Sequence, residues 1–344
     1  MRYLFFVLSL VVSASPLHLD AEILVDFRPT EGNSRNSEGD FLRLKDGSLA
    51  FAWSRFREAD AKVAWDRGAS DIALCRSRDG GRTWSAPEIA VTNDAQNVMS
   101  VSFFRLTDGR IGLLYLRNHA DGSNEVVLRT SEDETRTWAA PRTVYDSGGC
   151  LAVVNNSRVV RLASGRLLVP VARHGLKNGK PEAVAELLCL LSDDDGATWT
   201  RPEVVFSHPH RACWATELNT LGERPELVFQ TFDGNTYYSN LRPFRTWTED
   251  NGKTWTERVK VADVRMCSPI ALGRANDGSV YFAGNPGYPA PIPHERRNRM
   301  FLWPLSDRLD AMGRPVTLRD AKTDFTSGCG SWNMDHPIYS VIRF

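Results

Sequence analysis

The sequence has no excess charge of either sign, no cysteine pair at metal-binding spacing and, beyond its first residues, no long apolar run. Its 42 basic and 42 acidic residues cancel, which excludes the electrostatic footprint of a protein that follows a phosphate backbone or an anionic membrane surface. The six cysteines lie far apart, without a C-x-x-C pair or histidines at zinc-finger spacing. We therefore predict no metal, no cofactor, no nucleic-acid partner and no membrane span.

The first residues carry the one pronounced apolar run. Arg2 precedes the apolar stretch 3–12, and small residues follow up to Ser15, with a plausible cleavage point near Ala14. A basic start, a short apolar core and small residues are typical of a secretory signal peptide. We predict a signal peptide over residues 1–15 and a secreted or periplasmic protein; the alternative is a buried N-terminal strand.

Helical periodicity is absent over any length that could cover a parallel sheet, whereas one octapeptide occurs four times. The copies read SRDGGRTW from Ser77, SEDETRTW from Ser131, SDDDGATW from Ser192 and TEDNGKTW from Thr248. Their tryptophans are separated by 54, 61 and 56 residues, an interval typical of a repeated supersecondary unit.

Turn signals lie between the copies. Asp-Gly or Ser-Gly dipeptides are flanked by alternating apolar residues, which predicts two-residue hairpin turns. Each unit then holds about four strands and cannot bury both faces of its sheet alone, so the units should stack radially into a propeller. Five units are predicted, over residues 37–90, 97–145, 152–206, 213–262 and 266–318.

A sixth unit begins near Tyr339, and residues Glu22 to Phe27 could supply an outer closing strand. We predict an all-β fold, a six-bladed β-propeller that occupies residues 22–344 as a single domain. Whether the last blade is complete is left open by the spacing.

The octapeptide itself is interpreted as a structural turn. Its Asp can accept backbone N–H bonds across the turn, its Gly supplies a positive φ, and its Trp can pack between neighbouring sheets. This role is favoured over a catalytic one for the four box aspartates. The second copy has Thr135 where the others have Gly, so we expect it to be the most strained or distorted.

Octapeptides of the form S-x-D-x-G-x-T-W are Asp boxes, and in them this chain resembles the sialidase (neuraminidase) superfamily with its bacterial-neuraminidase repeats. The stretch WDRGASDIALCRSRDGGRTW strengthens the resemblance, since it places Asp66 eleven positions before the box serine. The resemblance implies a six-bladed sialidase-like propeller. It also implies an exo-glycosidase that removes a terminal sialic acid, or a related acidic sugar, from a glycan with retention.

The same resemblance implies a set of site residues. Members bind the sugar carboxylate with arginines, whose planar guanidinium matches a carboxylate and stays charged. Arg35 and Arg297 take two of these places, with Arg296 and Arg299 as rivals of the latter, and Arg55 resembles a further arginine near the acid. For chemistry, the resemblance implies Tyr339 as nucleophile, Glu217 as its base and Asp66 as acid/base on the leaving oxygen.

Each assignment has a structural alternative. Arg35 could form a surface salt bridge, Arg55 could be a solvated strand end, and Tyr339 could be a packed core aromatic. Asn156 and Arg173 fall at equivalent strand ends and could read sugar hydroxyls, although surface turns explain them equally well.

The chain departs from the family pattern in its fourth unit. A further arginine is expected about fifteen residues after Glu217, where the sequence offers Gln230, Thr231 and Phe232. Arg242 and Arg245 follow in LRPFRTW, which we interpret as an insertion ahead of the fourth box. This departure places sialic acid as the substrate in question. It keeps open two alternatives to the exo-glycosidase: a degenerate glycan-binding propeller and a propeller polysaccharide lyase. In each case we expect a glycan partner and a monomer.

Overall fold

The computed structural model describes residues 20–57, 65–178, 180–200, 204–208, 214–219, 226–232, 241–261, 270–274, 279–284, 299–306, 313–320 and 338–343. Over these residues the secondary structure consists of 23 strands and one 3₁₀ turn, Trp65–Arg67. None of the helical structure in this part of the chain is long and apolar enough to cross a bilayer. The predicted signal peptide, residues 1–15, lies outside the described residues.

The strands form antiparallel sheets in chain order. The N-terminal strand β1 (Asp20–Asp26) is followed by a first sheet of β2 (Arg35–Arg43), β3 (Leu49–Phe56), β4 (Ser70–Ser77) and β5 (Glu88–Val91). The second sheet contains β6 (Asn97–Arg105), β7 (Ile111–Asn118), β8 (Asn124–Ser131) and β9 (Arg142–Asp146). The third contains β10 (Leu151–Val153), β11 (Val160–Arg161), β12 (Leu167–Lys177), β13 (Lys180–Ser192) and β14 (Val204–His208).

Two further four-stranded sheets and one strand pair complete the described fold. The fourth sheet contains β15 (Trp214–Asn219), β16 (Glu226–Phe232), β17 (Leu241–Trp247) and β18 (Val259–Lys260). The fifth contains β19 (Ala271–Arg274), β20 (Val280–Gly284), β21 (Arg299–Leu305) and β22 (Val316–Asp320). The last strand, β23 (Ile338–Arg343), pairs antiparallel with β1. The five predicted units therefore coincide with the five larger sheets, and the predicted partnership of the N-terminal and C-terminal segments is observed.

The hydrophobic core lies between successive sheets, as in a propeller. One cluster joins Ile72 and Leu74 of the first sheet to Ile111 and Leu113 of the second, all four fully buried. The next cluster joins the second sheet to the third through residues such as Leu128 and Leu190. Because a sheet of four strands buries its faces only against its neighbours, the stacking order fixes the all-β, propeller-like arrangement.

The hairpin turns differ from the predicted two-residue type. At Leu44, the backbone N–H donates to the Ser48 carbonyl at 2.8 Å, and the Gly47 N–H donates to the Leu44 carbonyl at 3.0 Å. Within this turn only Gly47 has a positive φ, at 86°, whereas a two-residue type I′ turn needs positive φ at both central residues. The turn is a three-residue loop ending in a glycine bulge, and the turns at Leu106 and Leu162 repeat its hydrogen bonds.

The Asp boxes are the structural turns that the sequence predicted. In the first box, Asp79 accepts hydrogen bonds from the Ser77 hydroxyl at 2.8 Å, the Thr83 N–H at 2.9 Å and the Thr83 hydroxyl at 2.6 Å. The Ser77 oxygen in turn accepts the N–H of Gly81 at 2.8 Å. These bonds to the ionised carboxylate, that of the Thr83 hydroxyl first, lower the pKa of Asp79 to about 2. Both carboxylate oxygens accept hydrogen bonds within the turn, which supports a structural role for this aspartate.

The second box keeps the same geometry despite its threonine. Thr135 is fully buried, its N–H donates to the Ser131 hydroxyl at 2.9 Å, and its φ is 72°. A β-branched residue is strained at this φ. Arg76 of the first sheet donates to both the hydroxyl and the carbonyl of Thr135, at 3.0 and 2.7 Å. The expected strain is therefore present in the backbone, while the hydrogen bonds of the box are undistorted.

The second, third and fourth boxes also attach their sheets to the preceding ones. Glu134 of the second box accepts the N–H of Lys45, in the first sheet's hairpin, at 2.8 Å. Asp195 of the third box accepts the N–H of Thr107, in the second sheet's hairpin, at 2.8 Å. The tryptophans of these three boxes are partly buried at the same junctions; Trp199, for example, packs against the cluster between the second and third sheets. The boxes therefore join adjacent sheets at one end of the molecule.

We expect Gly252→Ala to destabilise the protein more than Gly47→Ala. Both glycines have similar positive φ, 89° and 86°, so the backbone strain, about 1–2 kcal/mol, is shared. A Cβ at 252 would lie 2.9 Å from Leu168 and 3.2 Å from Leu191 of the third sheet, whereas nothing lies within 4 Å at 47. Overpacking this junction should add about 1–3 kcal/mol.

Urea unfolding of the two variants and the unsubstituted protein measures this difference. Equal losses of stability in both variants would show that the fourth box does not pack against the third sheet.

Candidate active site

The predicted site residues of the first sheet lie at its end opposite the Asp box. Because neighbouring strands are antiparallel, the start of β2, the end of β3 and the start of β4 share one end of the first sheet. The box follows the end of β4 and lies at the other end. The loop 57–69, which joins β3 to β4, contains the 3₁₀ turn with Asp66. One end of the molecule therefore holds the sheets together, and the other is available for chemistry.

Arg35 and Asp66 are in direct contact. The Arg35 Nη1 donates to Asp66 Oδ1 at 2.8 Å, and the side chains are 13% and 60% exposed. The Arg35 guanidinium also lies over the Phe56 ring, 4.4 Å from its centre, and its Nε is buried with no hydrogen-bond partner among the described residues. A half-satisfied, largely buried guanidinium beside an exposed carboxylate can bind an anion and exchange a proton in one place.

Arg55 lies one strand position from this pair. It is opposite Asn36 on β2 and Asp71 on β4. Asp71 is bound by Arg57 through contacts of 2.6 and 2.8 Å and accepts the N–H of Asn93 at 2.9 Å. Burial alone would raise the pKa of Asp71, but the hydrogen bonds from Arg57 and Asn93 outweigh it and the pKa is lowered. This end of the first sheet is therefore rich in cations, of which Arg57 is already paired.

Residues with positive φ interrupt the first strands of the first two sheets and the segment between β10 and β11 of the third. Glu38 has φ 53°, Ser100 has φ 61° and Ser157 has φ 59°. Ser100 donates to the Glu38 carboxylate at 2.7 Å. Asn156 donates to the Gly39 carbonyl at 2.7 Å, so it supports the β2 bulge of the first sheet. Strained residues of this kind often lie at functional sites, where the surrounding structure holds them.

Asp40 lies beneath this bulge and is buried. Its carboxylate accepts the N–H of Phe103 at 2.7 Å and that of Phe41 at 2.8 Å. Desolvation, partly opposed by these bonds and by the charge of Arg158, raises the pKa of Asp40 from 3.8 to about 6. Arg158, 5% exposed, donates to the Ile270 carbonyl of the fifth sheet at 2.8 Å. Asp40 thus joins the first sheet to the second, and Arg158 joins the third sheet to the residue immediately before β19 of the fifth.

Among the remaining predicted residues, Arg173 has defined side-chain contacts, and Glu217 and Tyr339 have defined positions on their strands. Arg173 lies on β12 and is paired with Glu186, with contacts of 2.8 and 2.6 Å. Burial alone would lower the pKa of Arg173, but the charge of Glu186 outweighs it and the pKa is raised. Glu217 lies on β15, the first strand of its sheet, opposite Val228, and Tyr339 lies on β23 opposite Val25. Arg297 lies outside the described residues.

The interpretation of LRPFRTW as an insertion is wrong. Residues Leu241–Trp247 form β17, the third strand of the fourth sheet, which pairs with β16 over seven residues. Its register places Arg242 directly opposite Thr231, the segment where the family pattern expects an arginine. The local sequence did not indicate a strand here, because a proline within an apolar run argues against one. In the structure Pro243 is part of β17 and lies opposite Gln230.

The sequence did not indicate a group of side-chain amides beside Asp66. Asn97, at the start of β6, donates to the Asp66 carbonyl at 2.5 Å and the Gly68 carbonyl at 3.1 Å. Gln96 donates to the Arg67 carbonyl at 2.7 Å. Asparagine is common in turns, so its presence near a strand start gives no specific signal for such a role. Within the described part of the chain, no three His, Cys, Asp or Glu side chains form a group that could hold a metal ion.

A family model matches most of the chain. It is the BNR repeat-like domain, and residues 47–338 match it. The match includes all four Asp boxes and Asp66, whereas Arg35 and Tyr339 lie outside it.

Solved structures share the fold at low identity. A protein of unknown function from Dyadobacter fermentans matches with a TM-score of 0.62 and 17% identity, over 87% of each chain. A Hadza microbial sialidase matches with a TM-score of 0.64 and 16% identity, over 84% of this chain and 60% of that one. A leech intramolecular trans-sialidase, in complex with 2,7-anhydro-Neu5Ac, matches with a TM-score of 0.63 and 13% identity, over 87% of this chain and 63% of that one. This chain thus spans about three fifths of the two sialidases, and at these identities the likeness shows the fold.

We expect ionisation of Asp40 to reduce stability as the pH rises. An acid whose pKa is higher in the folded state than in the unfolded state binds its proton more tightly when folded. The stability is therefore present below pH 3.8 and lost as the pH passes 6, by about 3 kcal/mol for this shift. Asp40→Asn should remove this pH dependence, although the amide will weaken the hydrogen bond to Phe103 at every pH.

Urea unfolding of both proteins at pH 4, 5, 6 and 7 tests this. The difference in unfolding free energy between the unsubstituted protein and the variant should shrink as the pH rises. A constant difference across the series would show that Asp40 is already ionised at pH 4 in the folded protein.

Proposed function

The chain belongs to the BNR repeat-like domain family, within the sialidase-like Asp-box superfamily, and from that premise we propose that it is an exo-glycosidase. It removes a terminal sialic acid or a related acidic sugar from a glycan, with retention at the anomeric carbon. The observation that carries the proposal is the contact of Arg35 with Asp66, at the end of the sheets that the Asp boxes leave free.

The proposed roles follow from the chemistry of an acidic sugar. The guanidinium of Arg35 binds the sugar carboxylate, and its Nε, a buried donor without a partner among the described residues, supplies a second hydrogen bond in the fork that a carboxylate accepts. Asp66, whose side chain is 60% exposed, reaches the glycosidic oxygen and donates a proton to it. Arg55 adds positive charge beside the pair.

A carboxylate nucleophile would be repelled by the substrate's own carboxylate, so the proposal uses a phenol. The Tyr339 oxygen attacks the anomeric carbon as Glu217 takes its proton, and the bond to the leaving oxygen breaks as Asp66 protonates that oxygen. Water then attacks the anomeric carbon as Asp66 takes its proton, the bond from that carbon to the tyrosyl oxygen breaks, and Glu217 returns its proton to the phenol as the sugar is released. Atoms and charges balance over the two steps.

We also propose which arginine replaces the one absent from the fourth unit, what the sixth blade is, and where the protein is located. Arg242, opposite Thr231 on the neighbouring strand, replaces the arginine that segment 230–232 lacks, and Arg297 provides a third guanidinium. Asn156 and Arg173 contact the remainder of the glycan. The β1–β23 pair is the sixth blade of a monomeric propeller, and the segment 1–15 directs the protein out of the cytoplasm.

A glycan-binding protein without turnover is the second candidate. It is favoured by one observation, namely that positions 230–232 read Gln-Thr-Phe. The two candidates are separated by incubating the protein with a fluorogenic sialoside and a panel of other acidic-sugar aryl glycosides. Hydrolysis of one of them supports the enzyme. Binding of an acidic glycan in calorimetry, with no release of the fluorophore or of an unsaturated product from any substrate, supports the binding protein.

We expect Asp66→Ala to reduce kcat by about 10²–10⁴-fold on a natural glycosidic linkage, because the sugar alcohol leaves only when protonated. On an aryl glycoside the loss should be at most about tenfold, since a phenolate leaves without a proton. Steady-state kinetics on both substrates measure the ratio.

Asp94→Ala is the matched control. Asp94 is also an exposed aspartate paired with an arginine, Arg117, at 2.9 Å, in the loop before β6, and it should leave both rates unchanged. Equal losses on the two substrates in Asp66→Ala would remove Asp66 from the acid role.

A further inference from the structure

The turn that carries Asp66 is held by side chains of the next sheet. Three consecutive carbonyls, those of Asp66, Arg67 and Gly68, accept hydrogen bonds from the amides of Gln96 and Asn97 at 2.5–3.1 Å. The base of the same loop is closed by the Arg57 N–H, which donates to the Ala69 carbonyl at 2.9 Å. The backbone of the turn is therefore fixed from the second sheet, while the Asp66 side chain remains exposed.

The amide of Asn97 is itself fixed by a chain of hydrogen bonds. Its Oδ1 accepts from Asn118 Nδ2 at 2.6 Å, and Asn118 Oδ1 accepts from Asn124 Nδ2 at 2.9 Å. Asn124 completes the chain on the third sheet, since it donates to the Ala152 carbonyl at 2.6 Å and accepts the Ala152 N–H at 2.7 Å.

The hydrogen bonds of this chain of amides all run in one direction. The Ala152 N–H must meet an oxygen, which turns the Asn124 amide so that its NH₂ faces Asn118, and each amide orients the next in the same way. The NH₂ of Asn97 consequently faces the two carbonyls of the Asp66 turn. Asn97 and Asn124 are 0% and 1% exposed, so water does not compete for these bonds, and a misdirected amide would leave buried groups unsatisfied.

We propose that Asn97 is a positioning residue for Asp66. It holds the peptide of Asp66 so that the carboxyl group lies beside Arg35 and within reach of the glycosidic oxygen. Asn118 and Asn124 keep the Asn97 amide in the required orientation. The inference rests on the proposed function, in which Asp66 is the acid/base. The geometry of a catalytic acid matters because a displacement of about 1 Å can cost about 100-fold in rate.

The kinetic test uses Asn97→Ala with Ser102→Ala as matched control. Ser102 is also a fully buried polar residue of β6 that accepts an inter-sheet bond, from the Arg158 N–H at 2.9 Å, but it does not contact the Asp66 turn. We expect Asn97→Ala to lower kcat on the natural linkage about 100-fold, with KM little changed and a much smaller loss on the aryl glycoside. Ser102→Ala should reduce both rates equally or not at all.

A double variant separates positioning from general destabilisation. If Asn97 acts through Asp66, adding Asn97→Ala to Asp66→Ala should cause no further loss on the natural linkage. A full additional loss, or an equal loss on both substrates in the single variant, would overturn the proposal.

A structural measurement tests the proposal without activity. Hydrogen exchange of the segment 65–69 should be faster in Asn97→Ala than in the unsubstituted protein, and unchanged in Ser102→Ala. The isosteric Asn97→Asp should also accelerate exchange, because it presents an oxygen to two carbonyls. Unchanged exchange in both Asn97 variants would overturn the proposal. If the unsubstituted protein hydrolyses none of the glycosides but the exchange pattern is as expected, the proposed function fails while Asn97 still positions the Asp66 turn.

Discussion

The fold depends on the satisfaction of one backbone turn, which occurs once in each of the first four sheets. In each Asp box a carboxylate accepts the N–H groups of a tight turn that would otherwise lack partners, and the serine or threonine that opens the box accepts the N–H of the residue four positions later. The acid that follows in the second and third boxes caps the hairpin of the preceding sheet. Local turn chemistry and sheet-to-sheet attachment are thus carried by the same eight residues. Because all boxes lie at one end, this end is committed to stability.

The other end tolerates features that stability alone would disfavour. The incompletely bonded guanidinium of Arg35 lies there, and positive φ at Glu38 and Ser100 and the buried carboxylate of Asp40 occur midway along the first strands of the first two sheets. Each of these costs free energy in isolation, and the packed sheets below maintain them. A site that must bind an anion and transfer a proton needs such groups, because a fully satisfied guanidinium has no donor left for a ligand.

The site also depends on contacts between sheets. Arg35 and Asp66 come from the first sheet, but the turn that carries Asp66 is bound by amides of the second, which are oriented from the third. Asn156 of the third sheet supports the bulge of the first. The fold is shared with sialidases at 16% and 13% identity, and at these identities the likeness shows the fold alone.

The sequence by itself determined the all-β class, the limits of the five larger sheets and the structural role of the box aspartates. These follow from hydrogen bonds between residues two to four apart, such as Ser77 to Asp79, and from alternation along single strands, both of which are local properties. Tertiary structure alone decided the three-residue hairpin turns, the place of Arg242 opposite Thr231, the burial that raises the pKa of Asp40 and the amide chain from Asn124 to Asp66. These features join residues that are distant along the chain. They are set by strand register and by the stacking of sheets, and no local pattern encodes either.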